Sequence, residues 1–483
     1  MTHILPENSP EIGEKALNKM AKVFILGIDG APPQFVFDRW IDDLPNLKRL
    51  MDNGAFGRIK STIPPSTCIA WNSFFSGRDA SDFGVYSYTA RNDFSYSSGQ
   101  LISSHDIKTD MVWDVLTETG KKSYVIGVPI TYPVRKAING AMVTGFMTPG
   151  FNDKSVHPPE LREKIKSLIG KDYMFDVSVG LASYKKIDLD VLLEKVYEMT
   201  RQQFMVTRHL IEKKDWDFAA LVLIGSDRLE HTLWAHIDET HRNYEESDHR
   251  NSLKDYFIYI DRELGKIIEL LDDDTAVIVS SDHGMDKMNF RFNLNDWLIK
   301  EGYLVLKEPA DGPVRFSPDL IDWKKTRAYS SGAYFGRIQI NLEGREPEGI
   351  VSVEDYGPLQ QELAQKFMRI KGDQNQEMDN KVYLTRDIYH GKYVKYAPDM
   401  IVYLDNLLTG TSADIGNPSL YSTETQVGKD DAGHAPIGMF VISGANVPKS
   451  GDLGTVDIYD VAPTIFSILN VDIPNTLRGK KIV

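Results

Sequence analysis

The chain has 483 residues and a single cysteine, Cys68. An internal disulfide framework is therefore impossible, and so is a zinc cluster built from several thiolates. Positive charge is also scarce: 55 lysines and arginines face 69 aspartates and glutamates, for a formal net charge of −14. With no basic run and no basic amphipathic stretch, a nucleic-acid polymer is not expected as a partner. No apolar run approaches the roughly 20 residues of a membrane-spanning helix, so no membrane partner is expected either. The N-terminal stretch MTHILPENSPEIGEKALNKM lacks the apolar segment of a secretory signal, and the protein reads as cytoplasmic.

What remains is the composition of a folded, globular protein, with 42% hydrophobic and 26% charged residues. The length exceeds what one core supports, so a large domain with a second lobe is expected. Short β-branched runs alternate with helical patterns, as in a parallel sheet with crossover helices. The runs are KVFILGI (22–28), SYVIGVPI (123–130), FAALVLIG (218–225), TAVIVSS (275–281) and MFVISG (439–444). Continuous apolar character fits strands covered on both faces. Helical spacing marks 191–213 and 256–271. The expected organisation is an α/β core over 20–290 and 431–483, with a helical insertion at about 151–215. A lobe or cap over 291–430 would shape the substrate pocket.

Functional groups of open α/β sheets collect at the carboxyl ends of strands. Asp29-Gly30 follows the first run, Ser226-Asp227 with His231 follows the third, and Asp282-His283-Gly284 follows the fourth. Gly433-His434 stands just before the last. Taken singly, Asp-Gly is a turn, an Asp and His four apart are a coincidence, and His434 is a loop residue. Their joint occurrence, in order, at the ends of separate strands is what points to chemistry. Carboxylates with neutral imidazoles suit zinc and its first-row neighbours. Two such ions about 4 Å apart can clamp the attacking and leaving oxygens of an in-line phosphoryl displacement. Asp227 and His231 would share one helix face, and Gly284 would permit a sharp exit after Asp282-His283. In STIPPSTCIAWNSFFSG (61–77) a Ser66-Thr67 turn opens a helical stretch. Either hydroxyl could cap that helix, or lie beside its unpaired N–H groups as a nucleophile in need of activation.

In order, the motifs ILGIDG, TCIAWNSFFSG, SDRLEH, SDHG and GHAP, closed by TVDIYDVAPTIFSILNVDIP, resemble the alkaline phosphatase superfamily. The branch they resemble is that of the type I phosphodiesterases and nucleotide pyrophosphatases, and the likeness spans nearly the whole chain. It implies an alkaline-phosphatase-like α/β core with a central mostly parallel sheet flanked by helices. It also implies a metal-dependent phosphoester hydrolase working through a covalent intermediate on Thr67. One metal would be held by Asp227, His231 and His434, the other by Asp29, Asp282 and His283 with the Thr67 hydroxyl. Thr67 is preferred to Ser66 because it stands ten residues before Gly77, the family's spacing. Two divalent ions are implied, Zn2+ first, with Mn2+ or Mg2+ as alternatives. The substrate implied is a small phosphoester, nucleotides among the candidates.

The chain departs from the branch where a phosphate-binding asparagine is usual. There DFGVYSY places Tyr88, so Tyr88 or Asn72 is the candidate substitute. No arginine clamp of the monoesterase kind is recognisable, and Arg78 and Arg228 read as surface residues. Trp71 and Trp234 are candidates for stacking on a leaving group, against a default of core packing. Cys68 reads as a small buried hydrophobe. Competing readings are a phosphomonoesterase, phosphomutase-type phosphoryl transfer, and a binding protein that keeps the fold without catalysis.

Overall fold

In the computed structural model the described residues are 21–483, apart from 92, 97, 98, 178–183 and 424–429. The polar N-terminal stretch read above lies outside them. Nine strands form the central sheet, in the order Gly451–Asp457, Ala55–Lys60, Ile437–Gly444, Thr275–Ser280, Lys22–Ile28, Phe218–Leu223, Ser123–Gly127, Gly140–Gly145 and Val156–His157. All five apolar runs are members. Lys22–Ile28 lies at the centre, parallel to Phe218–Leu223 and to Thr275–Ser280.

The split of side chains along Lys22–Ile28 explains why its run is apolar throughout. Val23 and Ile25 enter one core cluster, while Phe24, Leu26 and Ile28 enter another on the opposite face. A strand between two cores has no solvent side on which polar residues could alternate. The helix Leu189–Ile211, within the stretch 151–215, lays Leu192, Val196, Met199 and Phe204 onto the second cluster. It packs against the sheet itself, as does the helix Ser252–Leu270 through Leu253, Phe257, Ile260 and Leu264.

Ile437–Gly444 is antiparallel to both of its neighbours, Ala55–Lys60 and Thr275–Ser280. This exception decides the site. A residue preceding an antiparallel strand emerges at the edge where the parallel strands end, so His434 reaches the level of Asp282 and His283. The short pairing of Ala432–Ala435 with Gly284–Lys287, His434 opposite Met285, secures it there.

Between residues 328 and 403 a separate four-stranded sheet forms, ordered Ala328–Ser331, Gly336–Ile340, Met400–Tyr403 and Lys381–Leu384. It has a third hydrophobic cluster of its own, with Ile338, Ile340, Met400, Val402 and the helix Val353–Met368. Among the described residues no helix is long and apolar enough to cross a membrane.

Gly27 sits where the helix Thr67–Ser76 crosses the central strand. A Cβ there would lie 2.5 Å from the Trp71 ring and 2.9 Å from Val222. Gly27→Val is expected to lower stability by about 1–3 kcal/mol through overpacking, read from the denaturant midpoint.

Candidate active site

Asp29 follows the central strand, and Gly30 turns the chain with φ of +76°, a conformation that glycine adopts without strain. The Gly30 N–H donates to Asp282 Oδ1 at 3.3 Å, tying two neighbouring strand ends together. Gly284 has a different task from the one expected of it. Its φ is not positive, but an added Cβ would stand 2.0 Å from the Ile437 carbonyl oxygen, so glycine is needed for close backbone approach.

The six residues expected to bind metal converge. His231 Nε2 and His434 Nε2 each lie 3.4 Å from Asp227 Oδ1. His283 Nε2 lies 3.5 Å from Asp29 Oδ1 and 3.4 Å from Asp282 Oδ2. Asp29, Asp282 and His283 offer ligand atoms within 4.8 Å of one another, as do Asp227, His283 and His434. His283 thus stands between the two groups, its ring stacked on that of His434 with centroids 3.9 Å apart. Thr67 Oγ1 is 3.4 Å from Asp29 Oδ1 and 3.3 Å from His283 Nε2.

Each histidine is oriented by its other nitrogen. Nδ1 meets the Gly284 carbonyl in His283 at 2.9 Å, the Pro65 carbonyl in His434 at 2.9 Å, and the Ala432 carbonyl in His231 at 2.9 Å. A carbonyl only accepts, so each Nδ1 carries a proton and each Nε2 faces the centre. Against burial and Lys185, Asp430 and Asp227 raise the pKa of His231. Burial drives His283 well below its usual pKa, with His434 adding to the effect, which leaves the ring neutral. Its bare Nε2 therefore faces the carboxyl oxygens of Asp29 and Asp282.

The carboxylates tell the same story. Burial, then Asp282 and Asp227, push Asp29 well above the usual range, and burial with Asp227 does the same to Asp282. Against burial, His231, His434 and Arg228 hold Asp227 well below it. Asp227 Oδ1, Asp282 Oδ2 and both oxygens of the neighbouring buried Glu230 have no hydrogen-bond partner. Acceptors facing acceptors in a buried site call for a cation. Ligands about 2.0–2.1 Å from a tetrahedral ion stand about 3.3–3.4 Å apart, the spacing these side chains already keep. Both groups could hold a metal ion.

The remaining candidates divide. Tyr88 lines a cavity of about 1390 Å³ together with Thr67, Asp227, His231 and His434. Burial sends its phenol far above the usual pKa, while the adjacent Thr67 side chain pulls the other way. Trp71 is not a wall of that cavity: it is fully buried, and its indole N–H donates to Asp29 Oδ2 at 2.8 Å. Asn72 also points elsewhere, its amide donating to the Cys68 carbonyl at 2.6 Å. Trp234 packs with Phe35 and Met285 in a small core cluster. Cys68 is buried, and that burial pushes its thiol up to about 11.

Arg228, read as a surface residue, is buried. It donates to Asp227 Oδ2 at 2.7 Å and to Asp176 Oδ1 at 2.9 Å. Three further residues escaped the sequence reading. Asp430 accepts from His231 Nδ1 at 2.8 Å and from the Tyr334 hydroxyl at 2.9 Å, and it pairs with Lys185 and Arg291. Despite full burial those cations hold it far below the usual carboxylate range. Tyr334, on the hairpin between Ala328–Ser331 and Gly336–Ile340, stacks on His434 with centroids 5.3 Å apart. Arg337 lines the same cavity. The only local signal was the hairpin sequence SSGAYFGR, which says nothing of where its tip docks.

An α/β sheet with paired carboxylate–imidazole groups and a hydroxyl at one edge is the architecture of alkaline-phosphatase-like phosphoric ester hydrolases. Residues 23–429 match the family described as type I phosphodiesterase / nucleotide pyrophosphatase. The chain belongs to that family and is a phosphoric ester hydrolase. No curated protein matches it in sequence. Among solved structures, human ectonucleotide pyrophosphatase / phosphodiesterase 5 is similar in fold, with TM-score 0.54 and 13% identity over 94% of this chain and 96% of that one. An inactive form of the murine protein, in complex with AMP, is similar with TM-score 0.54 and 12% identity over the same shares, 94% and 96%.

Asp430→Ala strips the carboxylate from between two largely buried cations. A loss of about 3–5 kcal/mol in unfolding free energy is expected from chemical denaturation, together with weaker metal retention by elemental analysis.

Proposed function

We propose that the protein hydrolyses a phosphodiester or phosphoanhydride of a nucleotide-type small molecule, through a covalent intermediate on Thr67. The observation that carries this reading is the position of Thr67 Oγ1, 3.4 Å from Asp29 Oδ1 and 3.3 Å from His283 Nε2 on the wall of the large cavity. Asp227, His231 and His434 would hold one divalent ion, zinc first among the candidates, and Asp29, Asp282 and His283 the other. When bound, such ions offset the buried negative charge, favour the ionised hydroxyl and neutralise charge on phosphoryl oxygens.

Thr67 is the first residue of its helix, whose earliest backbone bonds run from the Ile69 and Ala70 N–H groups to the Ser66 carbonyl. The N–H groups of Thr67 and Cys68 precede that ladder and are available to phosphoryl oxygens. Thr67 Oγ1 is the attacking atom. It forms a bond to phosphorus as the bond to the leaving oxygen breaks, and water then cleaves the threonyl ester. Tyr88, beside Thr67, takes the place of the missing asparagine as donor to a phosphoryl oxygen. Trp71 holds Asp29 in orientation, and Tyr334 closes the cavity over His434 and His231. The stretch 291–430 supplies Phe316, Tyr329, Tyr334 and Phe335 to the cavity, an aromatic lining suited to a base. The AMP complex of the murine relative supports a nucleotide-type ligand.

Thr67→Ala should cut turnover of an aryl phosphodiester by at least about 10³-fold, with Thr67→Ser retaining part of it. Full activity in metal-replete Thr67→Ala protein would refute the nucleophile. Chelation should abolish activity, and adding back Zn2+, Mn2+ or Mg2+ singly should identify the metal by the rate each restores.

A further inference from the structure

The cavity wall contains several cations, and the buried ones are neutralised with one exception. Arg228 has Asp176 and Asp227, Lys185 has Asp430, and Arg91 has Glu346. Arg337 has no carboxylate among the described residues. It is 7% exposed, and its Nε has no hydrogen-bond partner. A guanidinium does not give up its proton in a protein, so a full positive charge lies buried there without a counter-ion. Its one favourable contact of note is the Phe335 ring, 4.6 Å from the guanidinium carbon.

The backbone explains how it arrives there. Along Gly336–Ile340 side chains alternate, with Ile338 and Ile340 entering the core of the second sheet. Arg337 and Gln339 take the other face and line the cavity. Gln339 accepts from Arg91 Nη1 at 2.7 Å, whereas Arg337 is left open. Gly332, on the same hairpin, leaves room for the guanidinium, since a Cβ at that position would overlap Arg337 Nη1. The titratable groups near Arg337 are the Cys68 thiol and the phenols of Tyr88 and Tyr389, all pushed upward by burial and so uncharged. Arg228, not Arg337, pairs with a carboxylate of the metal groups, at 2.7 Å from Asp227 Oδ2. Arg337 lines the same cavity as Thr67 and Tyr88 as a separate cationic group.

We infer that Arg337 is the receptor for a second anionic phosphoryl group of the substrate, adjacent to the one attacked by Thr67. The site would accordingly select phosphoanhydrides over simple diesters. This deepens the function proposed above and rests on it. A planar guanidinium fork suits a phosphoryl group's paired oxygens, and the bound anion would supply the missing counter-charge. An aryl phosphodiester, with one charge at the reacting phosphorus and none beyond, cannot use Arg337.

The test compares wild type, Arg337→Met and Arg337→Lys on three substrates: a nucleoside triphosphate, bis(4-nitrophenyl) phosphate and 4-nitrophenyl phosphate. Arg337→Met is expected to lower kcat/KM for the triphosphate about 100-fold, and at least 30 times more than for the aryl diester. The loss should fall mainly on KM, with Arg337→Lys intermediate. Equal losses on triphosphate and diester, no loss on either, or a loss greatest on the monoester would each overturn the inference. A second readout needs no turnover. In chelator-treated protein, inorganic pyrophosphate should raise the melting temperature of wild type and not of Arg337→Met, while Arg337→Met without anion should melt no lower than wild type. An equal pyrophosphate shift in both proteins, or a lower melting point for the anion-free variant, would overturn it. If wild type turns over none of the three substrates, the proposed function fails, while the melting comparison still decides the role of Arg337.

Discussion

Asp29, Asp227 and Asp282 are buried within reach of one another, and Glu230 lies one helical turn from Asp227. Burying one carboxylate without a partner is costly, and burying several together adds mutual repulsion. Proteins accept such an arrangement when a cation supplies what the side chains cannot. Much of the surrounding structure keeps this cluster from relaxing. The Trp71 indole and the Gly30 N–H hold Asp29 and Asp282, Arg228 holds Asp227, and three backbone carbonyls fix the three imidazoles with Nε2 facing inward. The site is preorganised around a charge that the chain does not carry.

Topology makes the convergence possible. Parallel strands deliver Asp29, Asp227, Asp282 and His283 to one edge because all of them end there. His434 joins from the opposite chain direction, since its strand is antiparallel to both neighbours. The second sheet then contributes from above. A single hairpin sends Tyr334 over the histidines and Arg337 into the cavity wall, so both sheets contribute residues to one cavity. Asp430 joins the two parts, accepting from His231 of the core and from Tyr334 of the lobe.

The legible part of the site was the part written next to strand ends. Asp29, Asp227, Asp282 and His283 each follow an apolar run that is covered on both faces, and such runs are unambiguous. The helix Thr67–Ser76 was harder, because all ten of its residues are buried and no amphipathic period distinguishes its faces. Trp71 was a candidate for stacking and Asn72 for the missing asparagine's place, yet one turns beneath Asp29 and the other back onto its own helix. Arg228 was misread because an arginine's burial depends on partners far away in sequence. Its anchor Asp176 and its cover Tyr184 belong to a segment with no periodic signal.

Local sequence determined the α/β class, the strand-end carboxylates and histidines, and the Ser66-Thr67 hydroxyl pair at the helix start. These follow from hydrophobic periodicity and from turn chemistry, which act over a few residues. Only the tertiary structure decided that Asp430, Tyr334 and Arg337 gather around one cavity, and that Trp71 hydrogen-bonds Asp29 instead of lining it. Electrostatic partnership and burial are properties of neighbours in space. A charged residue on a short strand looks the same in sequence whether it faces solvent or a closed cavity; only packing distinguishes the two.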